Sequence, residues 1–232
     1  MKVLEGFDKA AADYDRLVGA NPGYHAQLRL SARRMGIPDQ GRGQRLLDLG
    51  CGTGASTAAL VRAAPEAEIV AVDGSAGMLA RAKEKQWPSS VTFVHSRAED
   101  LAEAGVRGPF DGVFAAYLVR NLPEPDGVLR AVHELLRPRA PFVAHEYSVA
   151  DSPLAKAVWT AVCWSVIIPA GRLVSGDASL HRYLWRSVLD FDGVIDFENR
   201  LSRNGFDTIR TGRMSGWQRG VTHTFFARRA SR

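Results

Sequence analysis

Residues Leu46–Thr57 read LLDLGCGTGAST. A short apolar strand runs into a glycine loop, and a helix-forming stretch follows. Glycines at positions 50, 52 and 54 allow positive φ and let a ligand approach the backbone closely. An acidic residue, Asp73, ends the next strand about 20 residues further on, where a carboxylate accepts bonds from ribose hydroxyls. The spacing is GxGxG, so the third glycine comes one place early for the GxGxxG of a dinucleotide site. Strand, glycine loop, helix and acidic strand end together predict a site for a nucleoside-containing cofactor.

Outward from the loop, strands and helices alternate. Strands are expected at Leu46–Leu49, Ile69–Val72, Val91–Val94, Phe110–Ala116 and Phe142–Glu146. Helices are expected at Ser56–Ala64, Ala76–Gln86 and Pro125–Leu136. Apolar, β-branched runs separated by helical patterns indicate parallel strands covered on both faces. With right-handed crossovers they make a doubly wound α/β sheet. Two more strands, in Phe206–Met214 and Val221–Arg229, read as a closing antiparallel hairpin and bring the sheet to seven.

Residues 1–40 read as an N-terminal helical cap, broken at Asn21–Gly23 and Gly36–Gly43. Residues 152–200 read as a helical insert, rich in tryptophan, that falls before the last two strands. There it would lie over the carboxyl ends of the strands, where open α/β sheets bind ligands, so a lid is expected. The whole chain, 1–232, is expected to be one domain.

Composition fits this picture. The chain has 232 residues, 46% hydrophobic and 24% charged, with a formal net charge of +5. The charge is spread without a Lys/Arg block or an aromatic platform, so nucleic acid is not an expected partner. Neither Cys51 nor Cys163 has the spacing of a metal site or a disulfide framework, and no metal is expected. The N-terminus does not read as a signal peptide, and the longest apolar stretch, Ala157–Gly171, is too short to span a bilayer. A cytoplasmic protein is expected, with the apolar insert as a surface that touches a membrane.

DLGCGTG followed by VAVDGSAGML resembles the class I S-adenosylmethionine (SAM)-dependent methyltransferases. The resemblance implies their Rossmann-like fold and the cofactor SAM, with S-adenosylhomocysteine as product. It implies that Gly50, Cys51, Gly52 and Gly54 line the methionine and ribose part, with Asp48 beneath the loop. Asp73 and Gly74 would hold the ribose, Met78 would pack near the adenine, and Ala98 or Glu99 would border it. Arg97 stands where the family often has Asp. Ala115 lies on the strand facing the transferable methyl, and Tyr14, in FDKAAADYD, would close over the cofactor.

The stretch YLVRNLPEPDGVLRAVHELLRPRAPFVAHEYS resembles the ubiquinone/menaquinone-biosynthesis C-methyltransferases through Arg120-Asn121 and Glu146-Tyr147-Ser148. The likeness continues through the insert, with Tyr183, Leu184 and Ser187, to His223. Leu118 stands where that family has Gly, and His181 where it has Tyr. The resemblance implies methyl transfer to a small hydrophobic phenol or quinol, on carbon. O- or N-methylation of another hydrophobic metabolite, and a non-catalytic protein that only holds the cofactor, stand beside it. Arg120 would hold an oxyanion, with His223, His145 and His181 as candidate bases. Tyr117, Leu118, Asn121, Tyr147, Trp164, His181 and Tyr183 would shape the acceptor pocket.

Overall fold

A computed structural model describes residues 3–19 and 21–231, except the side chains of residues 3, 9, 10, 13, 17 and 175. Two helices, α1 (Val3–Gly19) and α2 (Tyr24–Arg34), precede the sheet. The alternating part runs β1 (Arg45–Leu49), α3 (Ala55–Ala63), β2 (Glu68–Asp73), α4 (Ala76–Lys83), β3 (Val91–His95), β4 (Gly112–Ala116), α5 (Pro125–Leu135) and β5 (Pro141–Tyr147). The seven strands lie in the order β3-β2-β1-β4-β5-β7-β6, with β6 at Phe206–Arg213 and β7 at Thr222–Arg229. The first five strands are parallel, and β7 enters antiparallel between β5 and β6. The expected doubly wound sheet with a closing hairpin is present.

The expected boundaries hold to within a few residues, for readable reasons. β4 begins at Gly112 rather than Phe110, because Asp111 turns aside to accept from the Arg45 backbone N–H at 2.8 Å. α4 stops at Lys83, short of Gln86, ahead of Trp87-Pro88, since a proline disfavours helix in the residue before it. The central strands are buried on both faces. Leu47, Val70, Val113 and Phe142 look to one core, and Leu46, Ile69, Phe114 and Val143 to the other.

The direction of crossover reverses between β1 and β4, so a crevice opens at the carboxyl ends of those strands. The stretch after β5 is helical throughout: α6 (Pro153–Val162), a π turn at Cys163–Ile167, α7 (Ile168–Ser175), α8 (Ser179–Asp190) and α9 (Val194–Arg203). α7 and α8 touch α1. Pro169 has no N–H to bond one turn back, and a π turn just before it takes up the mismatch. The helix therefore runs on unbroken, and Pro153–Val174 makes 22 residues, long and apolar enough to cross a membrane by length and composition. That corrects the shorter stretch expected from sequence. One face of this run nevertheless packs on the domain through Ala155, Trp159, Cys163 and Ile168.

Candidate active site

A cavity of about 780 Å³ fills the crevice. Its cofactor half is built by the turn after β1. Gly50, Gly52 and Gly54 all have positive φ, at 76°, 55° and 92°. A Cβ on Gly52 would meet no protein atom within 4 Å, so the space over it is open to a ligand. Gly54 faces away from the cavity, where a Cβ would stand 2.6 Å from the Trp87 ring. Asp48 lies buried beneath the loop and accepts from Ser56 at 2.8 Å and Thr57 at 2.6 Å through one oxygen. Its other oxygen has no partner, and burial pushes its carboxyl up to about 7.

Asp73 accepts the backbone N–H of Gly52 at 2.7 Å and of Ser75 at 2.8 Å, which fixes its carboxylate at the cavity wall. Cys51, Gly74, Met78, Ala98 and Glu99 also line this half, with Arg97 paired to Glu99 at 3.4 Å. Ala115 is buried in β4 and does not reach the cavity; its neighbour Ala116 does. α1 is fastened across the loop by two aspartates. Asp8 accepts from Ser75 Oγ at 2.5 Å and Gly77 N–H at 2.9 Å, and Asp15 accepts from Thr53 Oγ1 at 2.5 Å.

The cavity continues past Leu118 into an aromatic half walled by Tyr14, Tyr24, Tyr117 and Tyr183, with Arg120 and Asn121. Leu118 packs against the loop, 3.0 Å from where a Cβ on Gly50 would stand. Tyr117 takes a positive φ of 56°, rare for a bulky residue. Asn121 holds that turn by donating to the Tyr117 carbonyl at 2.8 Å and accepting from the Tyr183 hydroxyl at 3.0 Å, which ties α8 to the site. Tyr24 stacks on Tyr117 with ring centroids 5.7 Å apart.

Arg120 is the one cation in this half among the described lining residues. Its side chain is 5% exposed and pairs with Glu146, 1% exposed, at the end of β5. Burial works against the charge on Arg120, but Glu146 outweighs it and the guanidinium stays protonated. Arg120 Nε and one Glu146 carboxylate oxygen have no partner.

The histidines are elsewhere. His145 sits under the tyrosines at the end of a hydrogen-bonded chain. Arg34 can only donate, and its Nη1 lies 2.6 Å from Thr224 Oγ1. Thr224 Oγ1 shares a hydrogen bond with Ser31 Oγ at 2.7 Å, Ser31 Oγ one with His145 Nδ1 at 2.8 Å, and His145 Nε2 one with the Tyr117 hydroxyl at 2.9 Å. Burial, with Arg34 nearby, pushes the His145 imidazole down to about 3. Both its nitrogens are engaged, so the expectation of a base at His145 is corrected. His223 is buried against Phe225, off the cavity, and burial with Arg213 nearby pushes it down to about 4. It does not meet the acceptor half either.

His181 packs its ring against Gly171, where a Cβ would stand 2.3 Å from Nδ1, so it joins α8 to α7 rather than lining the cavity. Trp164 stands outside the cavity, half-exposed, edge-on to Trp185. Cys163 follows Ala155 and Trp159 at four-residue steps onto the inner face, and Trp164 beside it turns outward. Tyr147 lies behind Tyr117, with centroids 4.7 Å apart, as a supporting layer.

The model of the ubiE/COQ5 methyltransferase family matches residues 1–227. The chain belongs to that family. A Bradyrhizobium diazoefficiens relative, "Ubiquinone/menaquinone biosynthesis C-methyltransferase UbiE", is 33% identical over 186 residues, which are 77% of this chain and 73% of the relative. The Haemonchus contortus phosphoethanolamine N-methyltransferase 2 in complex with S-adenosyl-L-methionine superposes with a TM-score of 0.68 at 19% identity, covering 97% of this chain and 57% of that one. The [4+2]-cyclase SpnF superposes with a TM-score of 0.70 at 16% identity, covering 98% and 95%. These two likenesses are of fold.

As a ubiE/COQ5-family protein the chain is a SAM-dependent methyltransferase. The cofactor half suits SAM: the open space over Gly52 and the fixed Asp73 carboxylate at the cavity wall are the features such a ligand needs. Tyr24, Asp8 and Asp15 escaped the sequence reading. FDKAAADYD carries both aspartates, yet their place on one face of α1 becomes visible only when α1 lies over the loop.

Proposed function

We propose that the protein methylates a ring carbon of a small phenol or quinol. The observation that carries this is the aromatic half of the cavity, four tyrosines around the single buried guanidinium of Arg120. Flat walls suit a planar ring, and a desolvated cation suits its ionised oxygen. The names of the relatives support carbon as the acceptor.

The bound cofactor supplies an electrophilic methyl on sulfonium. The chain's residues do the rest. Asp73 and the glycine loop fix one end of the cavity, and Leu118 sets the spacing between the two halves. Arg120 holds the phenolate oxygen, which makes the neighbouring ring carbon electron-rich. Tyr24, Tyr117 and Tyr183 keep the ring flat in line with the methyl. No histidine lines the cavity among the described residues, so the phenol proton and the displaced ring proton leave to solvent. Arg120 lowers the cost of the first loss by stabilising the anion.

The test is turnover of reduced short-chain demethylquinols with SAM, without oxygen, read by mass spectrometry. A product heavier by one CH₂, with fragments that place it on a ring carbon, is expected. Methyl on oxygen, or binding of S-adenosylhomocysteine with no product from any quinol, overturns the reading.

A further inference from the structure

Gly50 and Leu118 are fitted to each other. A Cβ on Gly50 would stand 3.0 Å from Leu118 Cδ1, 3.1 Å from its Cβ and 3.3 Å from its Cδ2. The glycine leaves a space bare, and the leucine side chain fills it. Both residues are pinned through their backbones. The Gly50 and Cys51 N–H groups donate to the Val72 carbonyl at 2.8 and 2.9 Å. On the other side, the Tyr117 N–H donates to the His145 carbonyl at 2.7 Å, and the Leu118 carbonyl accepts the Asn121 N–H at 2.8 Å. Leu118 also packs on the buried core that holds Leu47, Val113 and Phe142.

Both residues line the cavity, Gly50 in the cofactor half and Leu118 where the acceptor half begins. A methyl handed from one half to the other crosses the place where they meet. We propose that Leu118 selects the group carried on the cofactor sulfur: it leaves room for a methyl and excludes an ethyl or a longer chain. A side chain free to swing would make way for the extra carbon. Leu118 has the glycine loop on one side and the core on another, and its backbone is held at Tyr117 and at Asn121. Forcing a further carbon into a packed site displaces side chains from their rotamers, and one methylene in an apolar pocket changes affinity by about tenfold or more.

The rest of the turn is committed elsewhere. Val119 is buried in the core, Arg120 is paired with Glu146, and Asn121 is bonded to Tyr117 and Tyr183. Leu118 is the member of the turn that presents aliphatic carbon to the junction. Ala116, at the end of β4, also reaches the cavity wall, but it ends at Cβ and sets no such limit. Truncating Leu118 to alanine removes every carbon beyond Cβ, which is more than the single carbon that an ethyl group adds to a methyl. The inference rests on the cofactor alone, so it stands whichever acceptor receives the methyl.

The experiment is calorimetric binding of SAM, S-adenosylethionine and S-adenosylhomocysteine to the full chain, with no acceptor present. The second ligand carries an ethyl where SAM carries a methyl, and the third carries no alkyl group there. The parent should bind SAM at least about tenfold more tightly than S-adenosylethionine. In Leu118→Ala that ratio should fall to about threefold or less, because the cleared space takes the extra carbon. Each ratio compares two ligands on one preparation, so a smaller folded fraction does not alter it. Leu118→Val, one carbon shorter than the parent, should move the ratio the same way by less, and it decides the matter if the alanine variant does not fold. A parent that binds the methyl and ethyl compounds alike overturns the proposal. So does a ratio that the smaller side chain leaves unchanged, or an equal loss of affinity for all three ligands, which would make Leu118 a support for the glycine loop.

Discussion

Asp73 accepts two backbone N–H groups, so its carboxylate is oriented before any ligand arrives. Asp73→Asn keeps the shape but puts an amide N–H₂ where an acceptor is needed. It should weaken SAM binding by about 1.5–3 kcal/mol, tenfold or more, in calorimetry; unchanged affinity would move the ribose elsewhere. Arg120 invites a different substitution. Removing its charge would leave Glu146 buried and unpaired, at a cost of about 3–5 kcal/mol, and the fold would suffer with the chemistry. Arg120→Lys keeps the charge and loses the planar fork. It should cut kcat at least about tenfold with SAM affinity unchanged; equal loss in both would take Arg120 out of the acceptor half. At this scale the glycines and Asp73 were legible because backbone freedom and a strand-end acid leave a mark in spacing. The histidines were not. A lone imidazole reads as a base from its ordinary pKa, and only the surroundings of His145, buried and bonded at both nitrogens, reveal that it cannot accept a proton at working pH.

Elements carry what residues alone do not. Alternating apolar runs gave away the five parallel strands, since a strand covered on both faces has to be apolar throughout. The helical stretch after β5 was legible as helix but not in its facing. Trp164 turns outward because its neighbour Cys163 takes the inner place in the four-residue series Ala155, Trp159, Cys163. His181 went astray for a related reason, because its role depends on Gly171, ten residues earlier on the neighbouring helix. A Cβ at Gly171 would stand 2.3–2.6 Å from three atoms of the His181 ring. Gly171→Ala should therefore push α7 and α8 apart and destabilise the fold by about 1–3 kcal/mol, an overpacking cost seen as a lower melting temperature. Gly171→Ala with His181→Ala should recover most of the loss. If the single variant melts as the parent does, the two helices are not joined at that point. Because Tyr183 lies two residues beyond His181 and reaches Asn121, the same variant should also raise the KM for the acceptor.

Across the whole molecule the sheet buries titratable groups of opposite character, and the balance sets the response to acid. His145 and His223 have folded values of about 3 and about 4, below the ordinary imidazole value of about 6.5. Between those limits the unfolded chain binds protons that the folded chain refuses. Their contribution is complete above pH ~6.5 and is lost as the pH falls toward the folded values. Asp48 has the reverse sign. Its folded value of about 7 lies above the ordinary carboxyl value, so its contribution is complete at low pH and is lost as the pH rises through 7. Each group is worth at most about 1.4 kcal/mol per pH unit inside its window. The two are separable by substitution. His145→Gln keeps a donor and an acceptor but does not titrate, so it should lose less stability than the parent between pH 6.5 and 4. Asp48→Asn should lose more over the same range, because the term that opposes the histidines is gone. Urea midpoints at several pH values read both slopes. Parallel curves for parent and both variants would mean that these groups are in contact with solvent in the folded protein. The hydrogen-bonded chain from Arg34 to Tyr117 would then have to be redrawn, and with it the reason that no imidazole serves the acceptor half of the site.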